Sequence, residues 1–336
     1  LHAIRIALDW DGKYALSPLE VGALKQYAGF GGLKAILQPP GSADEWKKLK
    51  VSAADMQLNA GINELHELLR QRFDEKEYKA IVDSLRQSAL TAYYTPPLVP
   101  RALYSALQKQ GISPRRIYEP SAGVGVFITE AAAMIPGVEQ FNAVEKDKLT
   151  GKILTAICSD LHVPVTVQIK GLEETPATEK GQYDLVVSNI PFGNLSVYDP
   201  AYAGTQVTSR IHNYFFAKGL DKLADGGIMA YLTTDFFLNT PSNDLARKHL
   251  FTAADFISLS VLPDNLMKDN ANVEAPSHLL IVQKNDDKHG FSTEEALLIQ
   301  TVEQENVAGK FPANAYLAAH PELVLADEIG DGTNQY

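Results

Sequence analysis

Seven short apolar runs rich in β-branched and aromatic residues recur between residues 117 and 283. They are Ile117–Glu119, Phe141–Glu145, Val165–Ile169, Tyr183–Ser188, Ile228–Thr233, Phe256–Leu262 and His278–Gln283. Stretches long enough for a helix separate most of them. Lys148–Ser159 and Asn213–Ala224 read as helices, the second expected to stop at Asp225-Gly226-Gly227. Short continuous apolar runs are strands buried on both faces, and their alternation with helices makes a mostly parallel sheet covered on both sides. No convincing helix separates the last two runs, so these are expected to pair antiparallel. An open sheet of this kind gathers its ligands outside the carboxyl ends of the strands. Attention therefore falls on the loops that follow Glu119, Glu145 and Ser188.

After the first run comes Glu119-Pro120-Ser121-Ala122-Gly123-Val124-Gly125, directly before a helix. Glycines at such a turn let backbone approach a ligand closely. Glu145 ends the next run, where an acid can accept hydrogen bonds from ribose hydroxyls. A dinucleotide fingerprint wants a third glycine at position 128, which is Ile128. The loop thus fits a nucleoside cofactor without a pyrophosphate. An ordinary strand-to-helix turn is the alternative, and it leaves the spacing of Glu145 unexplained.

Asn189-Ile190-Pro191-Phe192 follows the fourth run and should face the same cleft. The Asn189 side-chain oxygen and the Ile190 carbonyl can each accept one N–H bond from an exocyclic amine. Two such acceptors draw the amine toward tetrahedral geometry and free its lone pair. Phe192 offers a flat face to a planar substrate. The polar stretch Gly193–Arg210, with Tyr198, Tyr202 and Arg210, is expected either to close over a substrate or to be a surface loop.

Residues 1–90 read as helical. Ser17-Pro18-Leu19-Glu20 has the makings of a capping box, and Ile62, Leu65, Leu68 and Leu69 share one helix face. Thr95-Pro96-Pro97 opens a further helix, closed by Gly111. Residues 91–284 are expected to form a catalytic domain, with 285–336 an acidic helical appendage. The net charge of −11 first argues against a nucleic-acid enzyme. Yet residues 285–336 carry ten acids and two bases, so −8 of the charge lies there and the body is only −3. One cysteine, Cys158, forbids an internal disulfide, and eight histidines lack metal-ligand spacing. No apolar stretch reaches membrane-spanning length, so a cytoplasmic protein is expected. The chain begins at Leu1, which suggests a domain of something larger.

The stretch from roughly Tyr93 to Lys284 resembles the amino-group (N6-adenine) class of S-adenosylmethionine-dependent DNA methyltransferases. The resemblance implies a Rossmann-like, mostly parallel seven-stranded sheet with an antiparallel last strand, beside the N-terminal helical region. Tyr94-Thr95-Pro96 resembles the element that contacts the methionine part of the cofactor. Glu119, Pro120, Ala122, Gly123 and Gly125 fall in the family's cofactor loop, and Glu145 at its ribose acid. Gly171-Leu172-Glu173 resembles, poorly, the segment beside the cofactor's adenine. Asn189–Phe192 resembles the catalytic (Asp/Asn/Ser)-Pro-Pro-(Tyr/Phe) motif, with Ile190 in place of the first proline and Asn189 also near the cofactor. His212-Asn213-Tyr214-Phe215-Phe216 falls where the family lines the cleft with aromatics, although core packing explains Phe215 and Phe216 equally well. Leu16–Leu37, with Tyr27-Ala28-Gly29-Phe30-Gly31-Gly32, is similar to the start of large methylase–helicase proteins of mobile elements.

The resemblance implies S-adenosyl-L-methionine as cofactor, no metal, and DNA as substrate in methylation of the restriction–modification kind. An adenine must then leave the duplex to reach the cleft. Methylation of RNA or of a glutamine amide is a second reading, and an inactive cofactor-binding module of a helicase assembly a third. The acidic balance implies that phosphate contacts and sequence recognition come from residues 1–90, from a helicase or specificity region in a longer chain, or from a partner.

Overall fold

The computed structural model describes residues 1–91, 94–267, 275–306 and 309–324. Tyr93, and Asp327, Glu328 and Asp331 of the acidic tail, lie outside the described residues. Six helices make up the N-terminal region: α1 (His2–Asp9), α2 (Pro18–Lys25), α3 (Ala43–Lys48), α4 (Ala53–Met56), α5 (Asn59–Arg72) and α6 (Glu75–Thr91). The Ser17 capping box forms as expected, with Ser17 and Glu20 bonding reciprocally at the start of α2.

There follow α7 (Leu98–Lys109), β1 (Arg116–Glu119), α8 (Val126–Met134), β2 (Gln140–Glu145), α9 (Lys148–Cys158), β3 (Val165–Ile169) and β4 (Tyr183–Asn189). Then come α10 (Ile211–Lys222), β5 (Leu223–Thr234), α11 (Phe236–Asn239), α12 (Asp244–Thr252), β6 (Ala254–Leu262) and β7 (Ser277–Lys284). The seven apolar runs are the strands of one sheet, ordered β3-β2-β1-β4-β5-β7-β6. β7, the last in sequence, pairs antiparallel with both β5 and β6, and the remaining pairs are parallel. This is the expected fold class, and chain order reverses between β1 and β4, so the crevice between their carboxyl ends is a switch point.

Alternation along the strands divides the core. Ile117, Leu185, Ala230 and Leu232 pack with Leu103 and Phe127 of α7 and α8 on one face. Tyr118, Val186, Met229 and Tyr231 pack with Phe216 of α10 and Phe251 of α12 on the other. α9 is apolar on two faces because it is sandwiched, with Lys148 and Lys152 on its exposed side. Leu154 and Cys158 face the sheet, while Leu149, Ile153, Ala156 and Ile157 join Ile4, Leu24, Leu65 and Leu85 of the N-terminal helices in a third cluster. The N-terminal helical region thus forms a further layer outside α9.

Two expectations are corrected. α10 ends at Lys222, and β5 begins at Leu223, ahead of Asp225-Gly226-Gly227. The glycines mark a register shift in the pairing with β4, for which Gly226 supplies φ +75. The tail is not wholly helical. α13 (Thr293–Ile299) and α14 (Ala315–Ala319) flank an antiparallel hairpin of β8 (Thr301–Asn306) and β9 (Gly309–Asn314). Glu303 and Glu305 lie on exposed positions of β8, Glu295 is buried against Lys288, and Leu298, Tyr316 and Leu317 pack into the core cluster of α10 and α12. Arg247 of α12, fully buried, pins this tail by donating to the Ile299 carbonyl at 2.8 Å, and also to the Phe237 and Thr240 carbonyls.

Candidate active site

The loop from Glu119 to Gly125 turns tightly between β1 and α8. Gly123 (φ +54) and Gly125 (φ +78) are left-handed, a backbone state costly for other residues. A Cβ on Gly125 would also stand 2.7 Å from Leu154 Cδ1, so a larger residue there would have to turn the Leu154 side chain aside. Three bonds fix the loop to its neighbours. The Ala122 N–H donates to the Val144 carbonyl at 2.9 Å, the Gly123 N–H to the Glu145 carboxylate at 2.8 Å, and the Ser188 hydroxyl to the Ser121 carbonyl at 3.1 Å.

Glu145 stands at the end of β2, half-buried, and also accepts from the Asp147 N–H at 2.7 Å. Burial, and then the neighbouring Asp147, push its carboxyl up to about 8 against the pull of these N–H bonds. Glu119 is 1% exposed, and its Oε2 has no partner among the described residues. Burial, and then Glu145, push the Glu119 carboxyl well above the usual range. A buried oxygen without a partner is costly, and a ligand donor reaching the loop would relieve it.

Asn189 is the last residue of β4, opposite Leu232 of β5. The Ile190 N–H donates to the Leu232 carbonyl at 3.0 Å, a bond that the proline it replaces has no hydrogen to make. The turn is thereby held by an extension of the sheet ladder. Ile190 and Phe192 are buried, at 1% and 2% exposure, and Pro191 is half-buried.

These parts converge on one cavity of about 550 Å³, a size usual for cofactor clefts. Glu119, Pro120, Ala122, Gly123 and Glu145 line it together with Asn189, Ile190, Pro191 and Phe192, and Tyr94 and Thr95 also reach it. Pro96 and Gly125 are not on the lining. Gly125 instead begins α8, and Pro96 lies just ahead of α7. Leu172 and Glu173 reach the cavity, with Glu173 accepting from Lys146 Nζ at 3.1 Å. Of the aromatics at the start of α10, Phe215 lines the cavity. Phe216 stacks on Phe237 in the core, with ring centroids 3.9 Å apart.

The stretch after the tetrapeptide is a built element. It has two single-turn helices, at Pro200–Tyr202 and Val207–Ser209, and Val197 N–H donates to the Thr208 carbonyl at 2.9 Å. Asp199 anchors it, accepting from Lys218 Nζ at 2.8 Å, the Tyr214 hydroxyl at 2.7 Å and the Ala201 N–H at 2.9 Å. Asn194 to Val197 line the cavity mouth, and Tyr198 beside them is 83% exposed. Sequence reasoning missed Lys146, Asp147 and Lys170, and also Ser84, Gln87 and Ser88 of α6, all on the lining. Adjacency to Glu145 was a usable signal for the first two, and none marked the α6 residues.

Comparison with known proteins agrees with this geometry. Residues 78–314 match the family described as N-6 DNA Methylase. A curated relative, the "Defense against restriction protein B" of Escherichia phage P1, is 27% identical over 186 residues. That match takes in 54% of this chain and 8% of the phage protein, so the chain spans a small part of this relative's length. Among solved structures, a Listeria monocytogenes protein described as a class I S-adenosylmethionine-dependent methyltransferase superposes with TM-score 0.53 at 16% identity. The superposition covers 87% of this chain and 90% of that one. A structure from a type I restriction–modification system gives TM-score 0.50 at 14% identity, over 84% and 69% of the two chains. At these identities the likeness shows a shared fold, the Rossmann-like methyltransferase fold. Among the described residues, no helix is long and apolar enough to cross a membrane.

Proposed function

This chain belongs to the N-6 DNA methylase family, and from that premise we propose that it transfers a methyl group from S-adenosyl-L-methionine to the exocyclic N6 amine of an adenine in DNA. One observation carries the reading. The Asn189–Phe192 turn and the Glu119–Gly123 loop with Glu145 line a single cavity. An amine acceptor site and a nucleoside site therefore meet in one space. The cavity's size, the partnerless buried oxygen of Glu119 and the left-handed glycines fit such a cofactor.

The cofactor, when bound, supplies a methyl group on a positively charged sulfur, which is a good leaving group. The chain's part is alignment. Glu145 accepts the ribose hydroxyls, while Tyr94, Thr95 and Glu119 flank the methionine part. Asn189 Oδ1 and the Ile190 carbonyl accept the two amine hydrogens and bring the nitrogen lone pair to bear. Phe192 holds the base by its flat face, and the adenine is flipped out of the duplex to reach it. The amine's surplus proton passes to water. The likeness to a type I restriction–modification assembly supports DNA recognition by partner subunits or by further chain, consistent with the acidic balance.

A mixed reaction containing DNA, RNA and protein with methyl-labelled cofactor tests the substrate class. Label is expected in DNA. Label in RNA or protein instead overturns the DNA assignment, and tight cofactor binding with no transfer supports a binding module.

Glu145 makes the cofactor step pH-dependent. Its carboxyl is raised to about 8 in the free protein, whereas ribose hydroxyls favour the carboxylate, so binding releases a proton. Affinity is expected to rise with pH and level off above about 8, falling up to about tenfold per unit below it. Titrations from pH 6 to 9 check this, and Glu145→Gln is expected to bind more weakly with that dependence removed.

A further inference from the structure

The segment Tyr27–Gly32 belongs to the N-terminal helical region, yet it packs against Tyr94, which borders the cofactor loop. The Tyr94 ring occupies the place where Gly29 would carry a Cβ. A carbon built there stands 2.0 Å from Cε2 and 2.6 Å from the phenol oxygen of Tyr94. The other edge of the ring faces Gly123, whose own Cβ position lies 3.5 Å from Cε1. Tyr94 is therefore held between two glycines, one from each region. Tyr27 stands edge-on to it, with centroids 6.2 Å apart at 88°, and the Tyr27 hydroxyl reaches Thr150 Oγ1 at 3.4 Å.

α6 arrives at the same place. The Gly32 N–H donates to the Ala89 carbonyl at 3.0 Å, which ties the segment to the helix. The Ser84 hydroxyl donates to the Asp147 carboxylate at 2.8 Å, two residues beyond Glu145. Ser84, Gln87 and Ser88 then complete the cavity lining.

We propose that the N-terminal helical region is the outer wall of the cofactor cavity and that Gly29 is a positioning residue that seats Tyr94 against the glycine loop. The inference rests on the cofactor reading above and adds a second region on which binding depends. An alanine at position 29 drives the Tyr94 ring toward Gly123. Because the Gly123 N–H is bonded to Glu145, the displacement passes to the ribose acid as well.

The test is titration of the whole chain with S-adenosylmethionine alone, with thermal melting of the cofactor-free protein alongside. Gly29→Ala is expected to weaken binding at least tenfold. In a Tyr94→Ala background the same change is expected to shift affinity less than twofold, because the obstructing ring is gone, while the backbone strain of an alanine at φ +66 shows in both backgrounds as a lowered melting temperature. Ser88→Phe, at a half-buried position, is expected to weaken binding at least tenfold with the melting temperature unchanged. Should Gly29→Ala fail to fold, Ser88→Phe decides the matter. Unchanged affinity in these variants overturns the proposal, and equal losses from Gly29→Ala in both backgrounds overturn the positioning role. A wild-type chain that binds no cofactor overturns the cofactor reading itself.

Discussion

Asn189→Ala is expected to lower kcat for methyl transfer by about 10²–10³-fold, the range found when one preorganised polar contact to a reacting group is removed. Asn189 closes β4 opposite Leu232, so its backbone is held by the sheet whatever its side chain. The substitution therefore removes an acceptor without loosening the turn. Cofactor affinity should change less than tenfold, because the substitution leaves the glycine loop and Glu145 in place on the cavity lining. Single-turnover rates beside cofactor titrations separate the two effects. A transfer rate that survives the substitution would place the amine somewhere other than this turn.

Asp199→Ala is expected to cost about 3–5 kcal/mol of stability, because it leaves a buried ammonium without its partner. Asp199 and Lys218 are 5% and 9% exposed and 2.8 Å apart, and Tyr214 shares the same carboxylate. Burial pushes the Asp199 carboxyl up. The bonds from Lys218, Tyr214 and the Ala201 N–H outweigh that and hold it below the usual range. A depressed carboxylate contributes its stabilisation in full above its unfolded value near 4 and loses it as pH falls through the lower folded value. Denaturant melts at pH 7 and pH 3 check both parts, and the difference between wild type and Asp199→Ala should shrink at the acid end. Asp199→Asn, which keeps the acceptor for Tyr214 and Ala201, should lose less. Because Asp199 anchors the stretch at the cavity mouth, the folded fraction of Asp199→Ala should show a raised KM for DNA with cofactor affinity little changed.

The central strands were legible because each is buried on both faces, which forces β-branched and apolar residues into unbroken runs such as Leu185–Val187. The cofactor loop was legible because two left-handed positions in three residues leave glycine little competition at 123 and 125. α12 was not. Its inward face carries Arg247 among Ala246, Leu250 and Phe251, so a buried guanidinium bonded to carbonyls breaks the apolar period. The hairpin of the tail was hidden for a related reason. Glu303 and Glu305 lie on exposed strand positions, and the charge suggested a solvated helix. The wall supplied by α6 left no local trace, because Ser84 and Asp147 meet across 63 residues of chain. Gly29 combines a left-handed φ of +66 with a ring that arrives from Tyr94, and no pattern near position 29 records the ring.

The proposed chemistry is tested most directly by digesting the DNA product to nucleosides after reaction with methyl-labelled S-adenosylmethionine. The expected result is label in N6-methyldeoxyadenosine, present with the wild-type chain and lost with Asn189→Ala. Label in a cytosine derivative, or label in N6-methyldeoxyadenosine at full yield with Asn189→Ala, would contradict the assignment of the Asn189–Phe192 turn as the adenine methylation site.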